Sequence, residues 1–220
     1  MGIESLMIWK MFCILGVLMS FFDPTFAENI KIITIDGPLQ PILKMKTEEI
    51  GTDEMPLAQE IVQKLFFALQ PYLPAAGLAA PQIGISKSVF IFSFDRDPNN
   101  LEGVINPYFV PIGEEKIEGW ECCFSVMLSN GAWKSAKIPR YESIKVQYLN
   151  AAGERIEKTL EGFAAKAFQH EYDHLRGIVN IDREDAIIRD FASKEELLDF
   201  MQQVKQEDSL HYKKPNSKKL

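Results

Sequence analysis

A chain of 220 residues is long enough to bury one core without staples, and it holds only 3 cysteines, which excludes a disulfide-dense scaffold. Its net charge is −7, and no basic stripe precedes the last ten residues, which excludes nucleic acid as the main partner. No repeat period and no biased tract interrupts the sequence away from its ends, which excludes solenoids and low-complexity arrays.

In chain order, residues 1–27 stand apart from the rest. Residues 6–22 are apolar except for Lys10 and Ser20, and Thr25-Phe26-Ala27 resembles a small-residue cleavage site. This is the pattern of a secretory signal peptide, which implies a periplasmic or secreted protein. The other readings are an uncleaved membrane anchor, with Lys10 reaching the interface, and a buried N-terminal helix in a cytoplasmic protein. Cleavage would remove Cys13 and leave the neighbours Cys122 and Cys123, which close too short a loop to act as a staple. The domain proper is expected over residues 28–205, with a lysine-rich flexible tail over 206–220.

Residues 28–35 alternate weakly and read as an edge strand or an arm. Asp53 is the expected cap of a helix with Pro56 in its first turn and Leu57, Ile61, Val62, Leu65 and Leu69 on one face; Pro71 and Pro74 end it. The small residues over 75–82 make either a tight connection or a backbone that approaches something closely. Residues 88–94 read as a buried strand, Asn106-Pro107 as a turn and residues 109–112 as a short strand. Residues 143–149 and 155–160 form a hairpin closed by the turn at 150–153. A short apolar run follows at 178–181, and residues 193–196 form a capping box for a last helix reaching about Val204.

Between the hairpin and that run, the pattern predicts a helix over Gly162–Leu175. Phe163, Ala164, Ala167 and Phe168 make an apolar stripe that continues into His170, His174 and Leu175, and Gly177 stands where a helix usually stops. His170 and His174 are two of the 3 histidines, and four-residue spacing aims both at one point. They are either a satisfied buried pair or two ligands of a metal ion, with Glu171 placed one position along as a general base. Cys123 alone reads as a small buried hydrophobe; beside a histidine pair it can serve as a third ligand, with water as the fourth. Strands followed by segregated helices imply an α+β fold, a single domain of antiparallel strands around the central HExxH helix, with a C-terminal helix.

Three stretches stand in a fixed order: residues 75–82, residues 121–125 and residues 169–177, with Ile138-Pro139-Arg140 and Ile181-Asp182-Arg183 between and after them. Together they resemble the peptide deformylases, metal-dependent amidases that remove the formyl group from N-formylmethionyl peptides, and the resemblance covers residues 32–183. It implies that Cys123, His170 and His174 bind one divalent metal ion, Fe2+ or Zn2+, and that Glu171 moves the proton. It further implies that the Gln82 side-chain amide and the backbone N–H of Phe124 serve the oxyanion, and that Gly77, Phe163 and Lys166 lie along the substrate. An N-formylated peptide is then the partner, and a monomer is the expected state. Ala75 replaces the first glycine of the first motif, Cys122 the glycine of the second, and Phe124 its leucine. Lys166, one turn before His170, either faces the methionine pocket and shifts preference toward acidic or longer side chains, or turns away and leaves it ordinary. The alternatives are a non-catalytic binder of formylated peptides or of a protein partner, an HExxH zinc peptidase with Glu184 as third ligand, and a cysteine hydrolase built on Cys123.

Overall fold

The structure is a computed structural model that describes residues 30–95 and 97–212, with side chains through Gln206. Residues 1–27, expected as a leader or anchor, lie outside the described residues, as does the lysine-rich end at 213–220. No described helix is long and apolar enough to cross a membrane.

Among the described residues, two antiparallel sheets and three α-helices make up the domain. The first sheet has the order β1-β2-β3-β6-β7, from Gly77–Ala79, Val89–Ser93, Leu101–Pro111, Ser143–Leu149 and Arg155–Glu161. The second has the order β4-β5-β8, from Lys116–Met127, Trp133–Tyr141 and Ile187–Phe191. Helix α1 is Met55–Leu69, α2 is Gly162–Leu175 and α3 is Lys194–Tyr212.

The continuous apolar run of β2 is explained by burial on both faces. Val89 and Ile91 pack with Ile61, Leu65 and Leu69 of α1, whereas Phe90 and Phe92 pack with Phe168 of α2. Phe168 meets these two rings edge-on at centroid distances of 5.1 and 5.6 Å. Full burial of such a side chain stabilises by roughly 1.5–3 kcal/mol, so α2 is fixed to the sheet before its histidines do anything. On its other side α2 faces β5, which places it between the two sheets. Trp133, Phe191 and Leu197 form a separate cluster that docks α3 on the second sheet.

Several local expectations change. The N-cap of α1 is Glu54, not Asp53, and its side chain makes no capping bond. Leu57 is exposed, and Ala58 and Ala68 take its place in the buried stripe, because that stripe runs 58, 61, 62, 65, 68, 69 at helical spacing. Asn106-Pro107 is not a turn between elements but a bulge inside β3, where the register slips between Ile105 and Tyr108. The small-residue run holds a short edge strand, β1, followed by a 3-10 turn at Ala80–Ile83. Of the two readings of the first segment the arm holds: residues 30–36 carry no strand and are bonded from Ile33 N to Gln82 O and from Ile35 N to Ser125 O. Helix α3 runs to Tyr212, past Val204 and into the expected tail, because no glycine or proline stands before Pro215 to stop it.

Candidate metal centre

The predicted helix forms with the predicted bounds, and burial selects its working face: Glu171 and His174 are 4% and 1% exposed. Gly177 ends it at φ +74, against the backbone of Lys44, where a Cβ would lie 2.6 Å from the Lys44 carbonyl. The third ligand comes from β4. Its pairing with β5 is regular from Lys116 to Cys122 and resumes only at Met127, so Cys123 sits in a stretch that β5 does not hold. Cys123 Sγ and one nitrogen each of His170 and His174 all lie within 4.8 Å of one another, and Sγ is 3.2 Å from His174 Nε2.

Glu121, two residues before Cys123, orients the first histidine. His170 Nδ1 donates to Glu121 Oε2 at 2.8 Å, which fixes the tautomer and leaves Nε2 for the centre. Glu121 is itself gripped by Arg140, whose Nε and Nη2 donate to the two carboxylate oxygens at 2.9 and 3.0 Å. Arg140 Nη1 also donates to Asp173 Oδ2 at 2.5 Å, and Arg183 Nη1 reaches the same oxygen at 3.3 Å. The Arg140 and Glu121 side chains are 3% and 4% exposed. Burial opposes the charge on Glu121, but the bonds from His170 and Arg140 outweigh it and hold the carboxyl well below its usual range.

The same balance governs the imidazoles. Burial disfavours a proton on His170, yet the bonds to Cys123 and Glu121 win and raise it well above the usual imidazole value. His174 is pushed well below, first by burial and then by the charge on His170. The carboxylate and sulfur around His170 thus favour positive charge at this point. Glu171 Oε2 is buried with no hydrogen-bond partner among the described residues. A buried polar atom left so costs roughly 1–3 kcal/mol, a cost that a nearby cation or its water offsets. Two nitrogens, one sulfur and a carboxylate alongside fit a tetrahedral divalent ion with one open position.

Around this point lie the other expected residues. Gln82 accepts from Ala79 N at 2.9 Å, and its Nε2 donates to Ser125 Oγ at 3.1 Å while facing Cys123 Sγ at 3.5 Å. Gly77 packs against Glu171: a Cβ there would lie 2.7 Å from Oε1 and 2.6 Å from the Ile91 carbonyl. Phe124 follows the ligand and sets its ring 4.8 Å from that of Tyr72. Phe163 is half-buried against the aromatic cluster of α2. Lys166 bends onto β4, where Nζ donates to Trp120 O at 3.1 Å. Cys122 is exposed and stands outside the ligand cluster, with Sγ 3.9 Å from Ser135 Oγ. Glu184 is exposed and also outside it, which removes the third ligand that a zinc peptidase would need. Sequence reasoning missed Arg140 and Asp173, and gave Glu121 no role although it shares the buried side of β4 with Cys123.

An α+β frame that brings a cysteine, two helical histidines and a buried glutamate to one point defines a metallohydrolase centre. The chain belongs to the polypeptide deformylase family, whose model matches residues 30–189. It is 36% identical over 158 residues to peptide deformylase 1 of Nitrosomonas europaea, covering 64% of this chain and 85% of that one. It is 33% identical over 165 residues to the peptide deformylase of Thermotoga petrophila, covering 75% and 94%. The crystal structure of peptide deformylase from Thermotoga maritima superposes with a TM-score of 0.60 at 32% identity, over 71% of this chain and 97% of that one. A class I type b peptide deformylase from Acinetobacter baumannii with Met-Ala-Ser bound gives a TM-score of 0.59 at 28% identity, over 69% and 99%.

Proposed function

We propose that the protein removes the formyl group from N-formylmethionyl peptides and releases formate. The observation that carries this reading is the cluster of Cys123, His170 and His174 with the buried Glu171 carboxylate beside it. When bound there, Fe2+ or Zn2+ supplies Lewis acidity and makes water easier to deprotonate. Glu171 takes the proton from the attacking water and returns it to the leaving amine. Burial pushes its carboxyl up to about 7, close to the value at which one group can both accept and donate near neutrality. Gln82 Nε2 and the Phe124 N–H donate to the formyl oxygen as it becomes negative. The open side of β1 at Gly77 takes the peptide backbone, since β1 is the edge strand of its sheet.

The Acinetobacter relative has Met-Ala-Ser bound, the peptide that would remain once formyl-Met-Ala-Ser loses formate. The test is therefore formate release from formyl-Met-Ala-Ser by the chain from Glu28 onward, purified without oxygen and supplied with zinc or ferrous iron. Release depends on the metal. Glu171→Ala keeps one equivalent of metal and loses at least ~100-fold in rate, the usual worth of a positioned acid–base group. Cys123→Ala loses metal and activity together; metal retained in that variant refutes the ligand set. One equivalent of metal and tight binding of formyl-Met-Ala-Ser without formate would instead establish a binder.

We also propose that residues 1–27 direct the chain out of the cytosol, on the strength of their apolar run and small-residue site. An alkaline phosphatase fusion to these residues is expected to be active outside the cytosol, and reporter found only inside refutes export.

A further inference from the structure

Lys166 crosses the gap between the two elements that carry the metal ligands. It lies on α2 one turn before His170, and its Nζ donates to the carbonyl oxygen of Trp120, three residues before Cys123 on β4. Gly119 makes room for this reach. A Cβ at that position would collide with the ammonium group, and would lie 3.4 Å from Cε and 4.0 Å from Cδ of the same side chain. The stem is thus laid flat over the strand, with its charged end fixed on a backbone carbonyl. Trp120 lies in the paired part of β4, whose ladder to β5 stops two residues on at Cys122 and resumes at Met127, so the bond holds the strand just before its unpaired stretch. The helix is anchored by Phe168 to the first sheet and tied to the second by the bond of Asp173 to Arg140, so the Lys166 bond is a direct tie of α2 to β4 beside that of His170 to Glu121.

We infer that Lys166 is a positioning residue whose bond to Trp120 sets the spacing of β4 and α2, and with it the distance between Cys123 and the two histidines. The inference rests on reading Cys123, His170 and His174 as the ligands. Metal–sulfur and metal–nitrogen bonds tolerate only a few tenths of an ångström, so a ligand set drawn from a strand and a helix holds its ion only as firmly as the spacing of the two is held.

The test uses the zinc-loaded full chain and follows zinc transfer to an excess of chromogenic chelator. Lys166→Met keeps the stem over Gly119 and removes the N–H donors. It is expected to release zinc about tenfold faster, at the low end for a group that supports ligands from behind. Its kcat falls with KM unchanged, its cobalt-substituted form shows a shifted sulfur-to-cobalt absorption band, and its metal-free melting temperature stays at the wild-type value. Gly119→Ala expels the ammonium group by another route and is expected to match it. The double variant is then no worse than either single change, because both remove one bond. Zinc release at the wild-type rate in Lys166→Met, effects that add in the double variant, or a fall in metal-free stability that tracks the metal loss would each overturn the inference. A wild-type chain that takes up no zinc would overturn the ligand reading itself, which keeps the two failures apart.

Discussion

Gly77 and Glu171 occupy one space between them. A methyl group on residue 77 would meet both Glu171 Oε1 and the backbone of Ile91, and the strand cannot yield because Gly77 is paired with Phe92 in the sheet. Gly77→Ala is therefore expected to displace the carboxylate, lowering kcat by at least ~10-fold while one equivalent of metal stays bound, since a misplaced proton carrier loses much of its roughly 10²–10⁴-fold contribution. Metal analysis beside formate release checks it, and loss of metal would show that the glycine supports the ligands instead. At this scale the centre was legible in the sequence. Residue types with strong chemical preferences stood at a helical spacing, and one cysteine had a context. What supports them was not, because Arg140, Glu121 and Asp173 are joined across 19 and 33 residues, and a charge carries no sign in the sequence of which opposite charge it will meet.

Among the elements, the bulge in β3 shows how a turn signal can be absorbed into a strand. Asn106 takes φ 49, and its side chain accepts from Ile50 N and donates to Ile50 O, both at 2.8 Å. Asn106→Ala loses both bonds and keeps the unfavourable backbone, for a cost of about 2–4 kcal/mol. Asn106→Gly recovers the backbone part and is expected to be about 1 kcal/mol more stable than the alanine variant in urea unfolding. Equal stability of the two would mean that the backbone there is unstrained. Helix α2 was legible to its bounds because its apolar stripe and terminal glycine agree. Strands β4, β5 and β8 were not. The buried positions of β4 do not alternate cleanly, β8 is exposed at four of its five residues, and Pro139 lies inside β5. That proline is tolerated because β8 pairs only with Trp133–Lys137, which leaves β5 an open side at residue 139.

At the scale of the whole molecule, the three stretches that form the centre are gathered by one segment that belongs to none of them. The arm, taken on through the 3-10 turn at Gln40–Lys44 to Thr47, bonds to Gln82 through Ile33, to Ser125 through Ile35 and to Leu175 through Thr47. A chain starting at Glu48 is expected to hold less than one zinc per molecule after gel filtration, whereas full zinc content and full activity would make the arm dispensable. The arm also sets a schedule. Thr47 and Leu175 are 128 residues apart, so the bond between them closes a loop that contains α1, α2 and every strand but β8. A ribosome delivers Thr47 long before the helix it fastens, and the site cannot be complete until residue 175 and the Asn180 amide that bonds to Glu121 O have both emerged. Metal capture is therefore among the last events in the making of this protein, and a chain caught unfinished carries ligands but no centre.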